Sequence, residues 1–259
     1  MTGRPPASVL LITVAALVSA ALLCALGVWQ VQRLQWKLDL IARVDARVSA
    51  APVAPPGPAA WEGVDAASAE YLKVRATGHL LHDRETLVQA VTDLGSGYWV
   101  LTPFVTDQGF TILVNRGFVA PDFRNPGTRS ESNAAGETTV TGLLRLSEPG
   151  GGFLRDNDPI GGRWYSRDVA AIAAAQRLDH TAPYFIDADA TPNPGGWPVG
   201  GLTRISFSNN HLVYAITWFG LALMALAGGW FVLMDWRRRE SGKPIEPPGG
   251  MLSEPGNWP

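Results

Sequence analysis

Asn209–Trp236 reads NNHLVYAITWFGLALMALAGGWFVLMDW, and its interpretation decides what kind of protein this is. Leu212–Met234 carries no formal charge over 23 residues. At about 1.5 Å of rise per residue such a run covers the roughly 30 Å hydrocarbon core of a bilayer, so a membrane-crossing helix is expected. His211 stands at its entrance, with Tyr214, Ala215 and Trp218 following at offsets of three, four and seven, so the four share one helical face. An imidazole at a membrane boundary is a functional candidate.

A second apolar block opens the chain. Between Arg4 and Arg33 no residue is charged, which is again long enough for a span. Val18-Ser19-Ala20 resembles a signal-peptide cleavage site, but the apolar run continues for eleven residues past Ala20, so an uncleaved anchor is expected. Arg237, Arg238 and Arg239 abut the second span as a block, which favours both termini on the cytoplasmic side and the middle of the chain in a periplasm-like space. Leu34, Leu38, Ile41, Val44 and Val48 recur at helical spacing, predicting an amphipathic stalk until the four prolines of Ala51–Pro58 end it.

The expected organisation is a cytoplasmic N-terminus at 1–6, a transmembrane helix at 7–32, a stalk helix at 33–50, a mostly β extracytoplasmic domain with linkers at 51–208, a second transmembrane helix at 209–235 and a basic, proline-rich cytoplasmic tail at 236–259. The fold class is thus membrane α plus soluble α+β: two transmembrane helices flanking a mostly β domain with one or two short helices.

Within that domain, short β-prone runs alternate with turn residues: Leu72–Thr77, Thr86–Val91, Trp99–Thr106, Phe110–Val119 and Thr138–Leu146, followed by Tyr184–Ile186 and Thr203–Phe207. Asp107-Gln108-Gly109 signals a hairpin. Phe110, Ile112 and Val114 alternate with Thr111, Leu113 and Asn115, the pattern of a strand with one face on a core. Pro121–Gly136, polar and proline-bearing, reads as a mobile loop. Arg167–Arg177 reads as a helix capped by Ser166.

Net charge is near zero and no basic stripe is present, so nucleic acid is not an expected partner. The single cysteine, Cys24, excludes an intramolecular disulfide and a two-cysteine metal site. His79 and His82 form H-x-x-H, but residues three apart on a strand point to different faces, and both read as surface polar groups, as does His180. No nucleophile elbow or phosphate cradle is found, so no enzymatic activity is expected.

With the middle of the chain outside, Gly27, Trp29, Gln30, Arg33, Trp36 and Lys37 end the first span at the depth where Asn210, His211, Tyr214 and Trp218 begin the second. Trp29, Arg33 and Trp36 share a helical face and would supply aromatic surface and a cation beside the His211 imidazole, while Gly27 allows close approach. Such an inventory suits haem, which wants an axial imidazole, apolar walls and cations for its propionates. Interfacial belts of Trp, Tyr and Arg in proteins without any ligand use the same residues.

The string Gly27-Val28-Trp29-Gln30-Val31-Gln32-Arg33-Leu34-Gln35-Trp36-Lys37 resembles the G-x-W-Q-x-x-R-x-x-W-K signature of the Surfeit-locus cytochrome oxidase assembly proteins. Asn115-Arg116-Gly117-Phe118-Val119 is similar to that family's N-R-G-[WF]-[VI], and Asn210 to Phe219 to its N-H-L-x-Y-A-x-T-W-[FY]. The resemblance runs from about residue 23 to 239, and the tail beyond it is expected to be disordered. It implies a factor for assembly of haem-a-containing cytochrome c oxidase, acting at subunit I in a bacterial inner membrane or its mitochondrial equivalent, with haem a synthase, other assembly factors and membrane lipid as further partners. It implies haem a as a transient cofactor and His211 as the iron ligand, with Trp29, Gln30, Arg33 and Tyr214 as motif positions near it; Trp36 and Trp218, on the same helical faces, complete the candidate site. Arg116 is implied as a domain residue without an assigned role. The alternative is a cofactor-free membrane scaffold that recruits oxidase subunits or other factors.

Overall fold

A computed structural model of the chain describes residues 4–133, 135–205 and 207–242, so the expected disorder of the tail falls mostly outside the described residues. The chain divides into two compact units: residues to Asp39 together with those from Ser208, and Leu40–Phe207.

The first unit consists of two long helices, most of α1 (Ala7–Ser49) and α3 (His211–Ser241), each long and apolar enough to cross a membrane. α1 runs unbroken through the expected junction at 32–33, so span and stalk are one helix of 43 residues, about 65 Å long. Small residues mark where the helices meet. Ala215, Ala222 and Gly229 are buried on α3 at intervals of seven, as are Ala20 and Gly27 on α1. With neither side chain offering bulk, the backbones approach closely, and a Cβ at Gly229 would stand 2.8 Å from that of Ala16. Gly27 lies under Phe219 at the other end, so the helices run antiparallel.

The second unit is a β-barrel built from β1 (Lys73–Leu80), β2 (Thr86–Thr92), β3 (Gly95–Thr106), β4 (Thr111–Val119), β5 (Glu137–Leu146) and β6 (Thr181–Ala188). The sheet order is β1-β5-β6-β4-β3-β2, and a further antiparallel pairing of β1 with β3, Gly78 opposite Thr106, closes it. Among the paired strands of the described residues, only β4 and β6 run parallel. Phe104, Phe110, Ile112, Val114, Leu144, Tyr184 and Ile186 fill one core. Val88, Leu101, Leu113, Trp164, Ile172 and Phe185 form a second, on the side covered by the short helix α2 (Val169–Ala175).

That second core corrects the reading of β4 as a one-sided strand: all nine of its residues are buried, because Leu113 on the opposite face meets the α2 layer. α2 is also shorter than expected and is capped by Asp168, whose Oδ1 accepts from the Ala171 N–H at 3.1 Å. Ser166 instead accepts from Gly151 N–H and from the Asn157 amide. The expected strand at Thr203–Phe207 does not form among the described residues; Val199 instead bridges Phe118, at the end of β4 beyond its pairing with β6.

Pro121–Gly136 is not a loose loop. Pro121–Phe123 and Pro126–Asn133 form 3-10 turns around Arg129, whose guanidinium is buried in a bidentate pair with Glu85. The proline-rich stretch after α1 is likewise held, because the Pro56 carbonyl accepts from the Tyr184 hydroxyl at 2.6 Å and the Trp61 indole at 3.0 Å. Burial pushes the Tyr184 phenol well above its usual pKa. The last turns of α1, from Leu40, belong to this second unit: Val44 is buried, and Arg47 donates to the carbonyls of Ala66, Ala67 and Glu70.

Candidate functional site

The three residues Asn115, Arg116 and Gly117 face three different tasks. Asn115 reaches across the parallel pairing to its register partner on β6 and donates to Asp187 Oδ1 at 2.7 Å. Arg116 turns the other way, donating to Asn133 Oδ1 at 2.9 Å, to the Ser132 carbonyl and to His82 Nδ1 at 3.2 Å. Burial, reinforced by the nearby Arg129 charge, lowers the Arg116 pKa to about 10. Gly117 has a φ of 136° and sits where a Cβ would collide with the Val199 carbonyl, so the bridge to Val199 needs glycine. The motif therefore organises the barrel. His82 is half-buried and engaged by a cation rather than a free surface group, while His79 is exposed on β1.

Around Asp187 lies a cleft of about 620 Å³, lined among others by Trp99, Asn115, Arg145, Arg167 and Thr203. The carboxylate accepts from Asn115, from Arg145 at 3.1 Å, from Arg167 at 3.0 Å and from the Thr203 hydroxyl at 3.0 Å. Arg167 closes on Glu148 through two further bonds at 3.0 and 2.6 Å. Burial works against the Arg167 charge, but the bonds and charges of Glu148 and Asp187 outweigh it and hold its pKa above the ordinary arginine value. Sequence reasoning has Asn115 as a motif position and Arg167 as a helix start, and misses the cluster that joins them. Its members come from β4, β5, β6 and the approach to α2, and no spacing in the chain announces them.

One hydrogen bond between α1 and α3 joins two of the seven expected site residues. His211 is the first residue of α3, and its Nδ1 lies 2.8 Å from Oε1 of Gln30 on α1. Gln30 is only 8% exposed. Trp29 and Tyr214 are each 54% exposed, Trp36 is exposed with the Arg33 guanidinium stacked 4.1 Å over its ring, and Trp218 is half-buried. Across the seam the hydrogen-bonding partner of the imidazole is an amide. Helix geometry explains the outcome: successive residues are about 100° apart, so the face that carries Gly27 and Gln30 towards α3 turns Trp29 aside.

Gly27 sets the closeness of this contact, because a Cβ there would come within 2.7 Å of the Phe219 ring. Gly27→Leu is expected to force the helix ends apart and abolish the His211–Gln30 bond, and Phe219→Ala is expected to restore part of it. A disulfide-trapping series between the two helix ends checks this; unchanged cross-linking in Gly27→Leu would contradict it.

Two apolar helices packed through small residues, with an inserted β-barrel domain and an imidazole–amide pair where the second helix starts, define a membrane-anchored two-span protein. The sequence profile of the SURF1 family matches residues 17–223, and the chain belongs to that family. It is 42% identical over 212 residues to Surfeit locus protein 1 of Rattus norvegicus, covering 76% of this chain and 67% of the relative. The Homo sapiens protein of the same name is 40% identical over 214 residues, covering 76% and 69%. A SURF1-like protein of Monosiga brevicollis is 39% identical over 238 residues, covering 86% and 87%.

Proposed function

We propose that this protein is a membrane-anchored assembly factor for cytochrome c oxidase that binds haem a at the His211 end of its helix pair and passes it to subunit I. Family membership supports the coarser part, oxidase assembly. The finer part rests on one observation, the 2.8 Å contact between His211 and Gln30. It fixes one ring nitrogen of a half-buried imidazole and leaves the other for a ligand, which is the donor chemistry an iron porphyrin requires.

In this reading His211 would ligate the iron, and Arg33, held over Trp36, would face a propionate. Trp29 and Tyr214 would lend exposed aromatic surface beside it. Haem a, when bound, is the cargo and supplies the iron. A single imidazole from this chain gives an incomplete shell, weak enough to yield to a client with better ligation, and a lipid-facing site lets the transfer occur without crossing water. Haem a synthase and other assembly factors are the proposed neighbours, in a bacterial inner membrane with the barrel domain on the periplasmic side.

The test is the absorption spectrum of the gently solubilised protein from cells that make haem a. Wild type is expected to carry a haem a spectrum and His211→Ala to lose most of it. Equal haem content in the two proteins would remove His211 as ligand, and no haem in either would favour the scaffold reading.

A further inference from the structure

We infer that Gln30 is a positioning residue: its amide oxygen fixes the tautomer and ring orientation of His211, so that Nδ1 carries the hydrogen and Nε2 presents the lone pair to a metal. The inference rests on the haem reading above for the identity of the metal. The atoms themselves come from the helix pair alone.

With the Gln30 amide oxygen, which has lone pairs and no hydrogen, turned to the ring at 2.8 Å, Nδ1 acts as the donor. In the uncharged imidazole the second nitrogen is then an acceptor or a ligand. Gln30 is buried and His211 half-buried, so water competes weakly for the bond. Gln30 is also held in place. It lies one turn beyond Gly27, which receives Phe219 of α3, and the close approach at Gly27 keeps the amide within reach of the first residue of α3. Metal-bound histidines as a class donate their other N–H to a carbonyl, a carboxylate or water, and losing that partner weakens metal binding by about 10–100-fold. Here the partner comes from the opposite helix. The site is therefore complete only when the two spans pair, so opening the pair would release the ring and loosen the metal together.

The role differs from that of a residue touching the cofactor. A wall residue would alter packing around the porphyrin, whereas a positioning residue alters the imidazole even when no cofactor is present. The first measurement therefore uses the full-length protein in detergent from cells that make no haem a, labelled with 15N histidine. The chain has four histidines, and His211→Ala assigns the signal. The expected wild-type spectrum has a protonated, pyrrole-type Nδ1 and a pyridine-type Nε2. In Gln30→Leu the two tautomers are expected to mix.

The second measurement is haem a affinity and midpoint potential. Gln30→Leu is expected to lose about 10–100-fold in affinity. Gln30→Glu keeps an acceptor at the same position, retains the cofactor and lowers the midpoint potential by making the imidazole a stronger donor. A wild-type ring protonated on Nε2, or full haem affinity together with an unaltered potential in both variants, overturns the assignment. Should Gln30→Leu fail to fold, the wild-type tautomer and Gln30→Glu decide the matter. Retention of haem by His211→Ala would instead overturn the haem reading itself, so the two failures are distinguishable.

Discussion

Asp187→Ala should cost the barrel domain about 3–5 kcal/mol, because it leaves Arg145 and Arg167 buried without the carboxylate that both contact. The Asp187 side chain is only 4% exposed and accepts from four separate partners drawn from β4, β5, the approach to α2 and the segment after β6. Removing it therefore frees Asn115 and Thr203 as well as two guanidiniums. For a domain of this size each kcal/mol moves the melting temperature by roughly 2–4 °C, so a fall of about 6–20 °C is expected. Thermal unfolding of the full-length protein in detergent, followed through the β signal in circular dichroism, measures it. Asp187→Asn should lose less, since it retains an acceptor and the volume. If Asp187→Ala melts with the wild type, the charges around it are solvated rather than buried.

The contrast between this cluster and the strands shows which physical information is local. Thr86–Val91, Trp99–Thr106 and Thr138–Leu146 were legible because apolar alternation and turn residues record a strand within its own few residues. The double burial of β4 was not, since it depends on where α2 packs. Asp187 was likewise invisible, because a buried acid surrounded by arginines is defined by strand order rather than spacing. At the helix pair the sequence placed His211 and Gln30 at one depth. Gly27 is legible as the point of close approach, and Ala20, seven residues earlier, extends the same seam, which the more conspicuous Trp29 and Trp36 do not mark. Small residues at the interval of the seam were the better signal.

Arg129→Ala is expected to be about as damaging as Asp187→Ala, at roughly 3–5 kcal/mol, for a different reason. Arg129 and Glu85 have side-chain exposures of 1% and 7%, so deleting the guanidinium strands a carboxylate with almost no access to water. It also removes the donor that holds the Phe123 carbonyl at 3.1 Å and so releases the start of the 3-10 segment. The pair as a whole contributes much less than either single deletion suggests, because both ions had to be desolvated to form it. Replacing both together, Arg129→Met with Glu85→Leu, should therefore recover most of the loss. Arg116 supplies an internal control. It is bonded to Ser132 and Asn133 at the end of the same 3-10 segment, and the Arg129 charge is one cause of its lowered pKa. Neutralising the buried pair therefore relieves Arg116 of a neighbouring cation while taking away the Glu85 anion that partly offsets it. Chemical denaturation of the four proteins in a double-mutant cycle gives the coupling between Arg129 and Glu85 directly. Additive losses in the double variant would mean that the two side chains act independently and that the segment is held by its backbone bonds alone.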